Sequence, residues 1–396
     1  MSSENKRPPI PTTTTTTTTP PRILTSSSSR PASIPPPRET QWYEHLTLDL
    51  FVTALNHTIL HPFVAWVIVL CLRAQAYRYT HPAFITAAAY AAFLSLLHAA
   101  SGVSDRIGFG LPRDVDRSEE VVVITGGASG LGLLVARIYG LRGVSVAVLD
   151  VKAEAEIEGW EEVCGVDYYQ CDVGDRVQVE ETAKKIEKDL GTPTVLMNCA
   201  AARINAQPLL SLPSEAFQKT IQTNLMAVAH TCQVFVPRML TAKNGGTIVN
   251  ISSVVGQLCP VGLSDYSASK AGLSALHRTL ETELRMSEHG NKVKMVLVEC
   301  GQISTPLFNF VKTPNSFFAP VLEPIHVAQE VVSVVDQGRG GVIRMPTFAM
   351  LVNWYAVLPV GLQRIARYIS GIDLAIAKST PSSQPSQSES KHAEAD

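Results

Sequence analysis

Residues 121–132 read Val121-Val-Val-Ile-Thr125-Gly126-Gly127-Ala128-Ser129-Gly130-Leu131-Gly132. A β-branched apolar run enters a glycine cluster and leaves it as a helical stretch, which is a strand–turn–helix pattern. Each glycine has its own task there. Gly126 allows the tight turn, Gly130 lets the backbone approach a pyrophosphate, and Gly132 lets the helix pack against the strand. Free N–H groups at the helix start then receive phosphate charge. Gly126, Ser129, Gly130, Leu131 and Gly132 are therefore candidate contacts for a dinucleotide.

The same alternation continues downstream. β-like runs at 121–125, 144–150, 167–172, 194–199, 247–252, 292–299 and 341–344 are mostly separated by helical stretches. Several are continuous Val/Ile/Leu runs, as expected of strands covered on both faces. The series predicts an α/β fold, a doubly wound parallel sheet forming one catalytic domain over residues 119–346. Asp150 closes the second run, 24 residues after Gly126. A carboxylate at that tip accepts hydrogen bonds from an adenosine ribose and repels a 2′-phosphate, which favours NAD over NADP. Lys152 stands close enough to soften the preference.

Tyr266-Ser-Ala-Ser-Lys270 opens a helical stretch, and its spacing puts both end residues on one helix face. A phenol titrates near ~10 and is a poor base at neutral pH. A neighbouring ammonium stabilises the phenolate and is expected to lower that value, making Tyr266 a proton-transfer group. Ser253 lies at the end of the run Thr247-Ile-Val-Asn-Ile-Ser-Ser253. A hydroxyl at a strand's carboxyl end, facing the sheet crevice, is placed to hydrogen-bond a substrate oxygen.

Thr125-Gly-x-x-x-Gly-x-Gly132 with Ser253, Tyr266 and Lys270 resembles the short-chain dehydrogenase/reductase family over residues 119–346. The resemblance implies the Rossmann fold and an NAD(P)-dependent oxidoreductase that moves a hydride between nicotinamide and an alcohol or ketone. It further implies that Tyr266 is the general acid/base, that Lys270 tunes it and binds the nicotinamide ribose, and that Ser253 polarises the substrate oxygen. Asn224 matches the position that holds a water linking Lys270 to solvent. Asp172 and Val173 match adenine contacts, Asn198 lies in the family's fourth-strand segment, and Thr305 matches the carboxamide contact. Cys199 and Ala201 depart from that fourth-strand segment, and Cys300 replaces the usual Pro before Gly301. A likeness to family members also implies a homodimer formed through helices near 215–240 and 264–287. Turnover is preferred over a catalytically silent, NAD-binding scaffold, because a scaffold has no use for Ser253, Tyr266 and Lys270 together.

The flanks differ from this domain. Charged residues are only 17% of the chain, against ~25% in typical soluble domains, and mean hydropathy is +0.12. Much of that excess lies at 46–101. Residues 62–72 are wholly apolar and, with the mixed stretch from Leu46, make one interrupted helix. Residues 82–100 form a second apolar run near the ~20 residues a bilayer span needs. The pair reads as membrane-associated, and residues 347–377, apolar with interleaved Arg364 and Arg367, suit an interfacial helix. Within the family these flanks are most similar to the branch associated with membranes and lipid droplets, which includes retinol dehydrogenases and 17-β-hydroxysteroid dehydrogenases. A lipophilic substrate (a sterol, retinoid or long-chain lipid) and residence on the endoplasmic reticulum or lipid droplets follow as expectations, with the catalytic domain facing the cytosol.

The Phe-bearing loop at 302–323, with Phe308, Phe310, Phe317 and Phe318, is the expected substrate loop. Residues 1–40, with threonine at every position from 12 to 19, and the tail from 378 are expected to be disordered. Nothing apolar follows the start, so no signal peptide is expected. Net charge is −2, which argues against nucleic-acid partners. Seven scattered cysteines without a CxxC pair read as reduced thiols, and His230, His277 and His326 lack ligand spacing, so no metal is expected. Ser214, after Pro213, reads as a helix cap.

Overall fold

The computed structural model describes residues 46–375, apart from 158, 161, 162, 289, 291, 309, 310, 312 and 314. The two termini expected to be disordered lie outside the described residues, as does Phe310. Helices α1 (Leu48–His57), α2 (Pro62–Ala74) and α3 (Pro82–Phe109) come first. A seven-stranded sheet follows, made of β1 (Val121–Thr125), β2 (Ser145–Asp150), β3 (Val166–Gln170), β4 (Val195–Asn198), β5 (Gly246–Ser253), β6 (Val293–Cys300) and β7 (Gly341–Met345). Between the strands lie α4 (Gly130–Leu141), α5 (Arg176–Asp189), α6 (Ser214–Ile221), α7 (Ala227–Thr241), α8 (Val255–Leu258), α9 (Ser264–Met286) and α10 (Pro324–Asp336). Helices α11 (Phe348–Val357) and α12 (Val360–Ser370) follow β7.

Strand order is β3-β2-β1-β4-β5-β6-β7, and each adjacent pair is parallel. The chain reverses direction across the sheet between β1 and β4, where such folds open a ligand crevice at the strands' carboxyl ends. Every strand lies within two residues of a β-like run of the sequence. The doubly wound Rossmann-type sheet is therefore as expected.

Alternation along each strand explains why both faces are apolar. Val122, Ile124, Val146 and Val148 meet α4 and α10 through Val135, Tyr139, Val327 and Val331. Val121, Val123, Ala147 and Leu149 meet α5, α7 and α9 through Ile186, Phe235 and Leu273. A period of two sends neighbours to opposite faces, so a run apolar at every position demands helices on both.

The flanks depart in detail from the sequence reading. The stretch from Leu46 to residue 72 is two helices meeting at a 49° bend. Pro62 opens α2 with His61 extended at φ −83°, ψ 121°, since the residue before proline disfavours the helical region. The run at 82–100 continues as helix to Phe109, 28 residues in all. That helix is long and apolar enough to cross a membrane, and α1 with α2 qualifies only as a bent pair. Only Ala91 and Leu94 of α3 are buried, against Ala65 and Val69 of α2. The apolar segment after β7 is likewise two helices, with Pro359 at the break. Ser214 is not a cap: Pro213 takes that position and no side-chain cap bond forms.

The helical hairpin is tied to the sheet at two places. At the amino ends of the strands, buried Lys294 donates from Nζ to Phe109 O at 3.2 Å. At the carboxyl ends, Leu48 N donates to Phe317 O at 2.9 Å and Thr347 N to Asp49 Oδ1 at 2.6 Å.

Candidate active site

The glycine turn leaves β1 through Gly126, at φ +66°. A Cβ there would stand 2.6 Å from Ala200 Cα, so the turn needs glycine for conformation and for its contact with the chain after β4. Gly130, at φ +55°, differs: a Cβ would find nothing closer than Thr305 Cγ2 at 3.7 Å, leaving room for a ligand beside the backbone. At Gly132 a Cβ would lie 2.6 Å from Gly126 O, which is how closely α4 packs on the turn. Gly127, which the sequence reading passed over, has Val148 Cγ1 only 2.7 Å from the same point.

Over this turn opens a cavity of about 750 Å³ at the carboxyl ends of the strands. Gly126, Ser129, Gly130, Leu131, Gly132, Asp150, Asp172, Val173, Ser253, Tyr266, Lys270 and Thr305 all line it. The volume lies in the range of cofactor sites, and the exposed start of α4 supplies N–H groups for phosphate, so the residues fit a dinucleotide. The Asp150 carboxylate accepts from Ala128 N at 3.1 Å and Lys152 N at 3.3 Å, which holds it beside the turn. Asp172 closes its own loop by accepting from Gly174 N at 2.8 Å.

Ser253 ends β5 and donates to Cys300 O at 3.0 Å. Tyr266 and Lys270 sit in the first two turns of α9, both buried. Lys270 Nζ donates to Ile251 O at 2.7 Å and lies 5.5 Å from the Tyr266 ring centroid. Phe308 meets the Tyr266 ring edge-on at 6.2 Å. Phe317 instead packs on Phe51 of α1 at 6.2 Å, so the aromatic loop serves both the cleft and the helical hairpin.

The electrostatics correct one expectation. Lys270 does not bring the phenol down in the protein alone. Burial raises Tyr266 above the ordinary phenol value, reinforced by Cys300, and burial lowers Lys270 to about 8. Shutting both groups away from water decides both directions, and the ammonium spends a proton on Ile251 O. Protein surrounds the thiols of Cys199 and Cys300, and burial pushes them up to about 12 and about 11. Cys199 still opens some surface to the cleft, but a thiol so raised is a poor nucleophile.

Asn198 and Asn224 do not line the cavity. Asn198 Nδ2 donates to Asn250 Oδ1 at 2.8 Å and its Oδ1 accepts from Thr231 Oγ1 at 2.8 Å. Asn250 in turn meets buried His277 Nδ1 at 3.0 Å. The Asn198 side chain thus joins a polar chain across the core rather than reaching for cofactor. Asn224 stands in a π-helical turn, Gln222–Met226, with Oδ1 accepting from Ala202 N at 2.8 Å and Nδ2 donating to Ser269 Oγ at 3.0 Å.

Asp265 escaped the sequence reading. It is buried beside Tyr266 and accepts from Asn205 Nδ2 at 2.7 Å and Thr220 Oγ1 at 2.8 Å, which anchors the start of α9. An acidic residue in a helix's first turn is too common to have singled it out.

Known proteins match this arrangement. A family model described as short chain dehydrogenase matches residues 120–315. Short-chain dehydrogenase/reductase 3 of Homo sapiens is 33% identical over 275 residues, 67% of this chain and 89% of that protein. Retinol dehydrogenase 10 of Rattus norvegicus is 28% identical over 255 residues, 57% of this chain and 74% of that protein. An uncharacterized oxidoreductase of Saccharomyces cerevisiae is 28% identical over 272 residues, 67% of this chain and 86% of that protein.

Proposed function

We propose, for a chain that belongs to the short-chain dehydrogenase/reductase family and acts on CH–OH donors with NAD(P), that its substrate is a lipophilic alcohol or ketone and its preferred cofactor NAD. The observation that carries this reading is the shared wall of the cleft, where Ser253, Tyr266 and Lys270 stand with the glycine turn and the apolar Leu307 and Phe308.

The chain's own residues divide the work. The Gly126–Gly132 turn and the α4 start would hold the pyrophosphate, Asp150 the adenosine ribose, Asp172 and Val173 the adenine, and Lys270 and Thr305 the nicotinamide end. A bound nicotinamide supplies the hydride acceptor or donor. Tyr266, protonated in the free protein, gives its proton to a carbonyl oxygen as that carbon is reduced. In oxidation the phenol first gives up its own proton to water, and the phenolate oxygen then takes the alcohol's proton. Lys270 faces the phenol and offsets the negative charge left there. Ser253 turns its hydroxyl from Cys300 O to the substrate oxygen, stabilising charge as it develops.

A carboxylate at the tip of β2 supports NAD, and Lys152 on the same wall favours NADP-dependent ketone reduction as the second reading. Membrane association rests on the exposed apolar faces of α3, α11 and α12 and on the likeness to a retinol dehydrogenase. The homodimer belongs to the same proposal by family likeness alone.

The test is steady-state turnover by the full chain in mixed micelles, with all-trans-retinol, a sterol and a C16 alcohol set against ethanol, and NAD against NADP. We expect at least one lipophilic alcohol to exceed ethanol in kcat/KM by about a hundredfold and NAD to bind about tenfold tighter than NADP. Equal rates on ethanol, or tighter NADP, would contradict the reading.

A further inference from the structure

Between Ser253 and Tyr266 the chain makes one short helix, α8, and a loop, 259–263. Both ends of this segment touch the reacting region: Val255 and Leu263 pack in one cluster with Tyr266, Leu307 and Phe308. Whatever fixes the segment therefore fixes the packing of the phenol ring.

The last carbonyls of a helix lack intrahelical partners, and α8 ends abruptly at Cys259, in the left-handed region at φ +46°. The carbonyls of Leu258 and Cys259 at that end are taken by one side chain from far along the sequence. Arg367 of α12 donates through Nη1 to Leu258 O at 2.5 Å and through Nη2 to Cys259 O at 3.0 Å. Asp373 grips the other edge of the guanidinium, accepting from Nε at 3.0 Å and again from Nη2. Tyr355 Oη lies 3.5 Å from Nη1. Two further ties run in parallel: Gln257 pairs with Asn353 at 3.0 Å, and Val254 packs with Ala349 and Val352 of α11.

α12 presents its charged side to the domain. Leu362, Ile365 and Ile369 share one side of the helix, at least half exposed, and Arg367 lies on the opposite side, against the protein. An ordinary surface helix buries its apolar stripe and shows its arginines to water. Here the contact with the domain is made by the charged side.

We propose that Arg367 is a positioning residue for hydride transfer: through the carbonyls of Leu258 and Cys259 it sets the segment that packs the Tyr266 ring. The inference rests on the catalytic reading of Tyr266 given above. It assigns a function to a helix that lies outside the residues matched by the family model.

The test uses the full chain in mixed micelles, with Arg367→Ala, Arg367→Lys and Asp373→Asn. Three quantities are read: kcat and KM for the best lipophilic alcohol, NADH affinity by fluorescence, and hydrogen exchange of the 254–263 amides. Arg367→Ala should lose about tenfold or more in kcat/KM and speed exchange of the segment about tenfold, with NADH affinity within about twofold of wild type. Lysine should recover less than about a third of the loss, because one ammonium does not span two carbonyls and a carboxylate. Asp373→Asn keeps the guanidinium but loosens it, and should lose about threefold, which preserves the test if the alanine variant fails to fold.

A merely structural role would lower the fraction of folded enzyme and leave KM of the remainder unchanged. Wild-type kcat and KM in Arg367→Ala and Asp373→Asn, or unchanged exchange of the segment, would overturn the proposal. The exchange measurement needs no substrate. A wild-type chain inactive on every alcohol would count against the proposed reaction, while unchanged exchange would count against the strut.

Discussion

Lys270 carries two opposing demands. The proposed reaction needs it charged to balance a phenolate, yet burial lowers it to about 8. A lysine lowered on folding releases its proton before the unfolded chain does. Between pH 8 and the unfolded value near ~10.5 the unfolded state binds more protons, so this group's contribution to stability rises with pH. Below that window the buried ammonium costs up to about 3 kcal/mol. The buried thiols of Cys199, Cys232 and Cys300 work the other way above pH ~9, because each is raised. The clean measurement is therefore a difference. Urea unfolding of the dinucleotide-free wild type minus that of Lys270→Met should climb from pH 8 to 10; a flat difference would mean that the ammonium is not desolvated.

At the scale of elements, the polar chain Thr231–Asn198–Asn250–His277 ties α7, β4, β5 and α9 together beneath the cleft. Asn198→Leu leaves the buried Asn250 Oδ1 without its donor, while Thr231 falls back on Val228 O, and should cost about 1–3 kcal/mol in chemical unfolding. Dinucleotide affinity should change by less than about threefold, since the side chain does not face the cavity. A large loss of affinity with stability unchanged would restore Asn198 as a cofactor contact. This contrast marks what the sequence makes legible. Glycine at 126, 130 and 132 and the Tyr266/Lys270 spacing are local patterns, and short β-like runs between helical stretches place all seven strands. The π-helical turn at Asn224 is an i→i+5 event that no local residue choice announces. Asp265 with Thr220, or Arg367 with Leu258, are pairings across 45 and 109 positions that only packing creates. The bend before α2 is written in Pro62, which opens the apolar run and turns His61 away from the helical region.

At the scale of the molecule, the α/β domain is bracketed by apolar helices that leave many of their large apolar side chains exposed. Leu96 and Leu97, near the middle of α3, are 68% and 50% exposed, an arrangement suited to lipid. Arginine at both positions should cost about 2.5–3.5 kcal/mol each in a bilayer core. That variant should move from the pellet toward the supernatant in carbonate extraction of membranes, whereas the wild type stays in the pellet. Extraction of both alike would argue for a hairpin that packs on protein. The proposed reaction turns on one chemical event, a proton moving through the Tyr266 oxygen beside a bound dinucleotide. Its most direct test is Tyr266→Phe in the full chain, with turnover of a lipophilic alcohol and NADH binding followed on the same preparation. Turnover should fall by about a thousandfold or more while NADH affinity holds within about twofold. Near-normal turnover with a phenyl ring at position 266 would contradict the assignment.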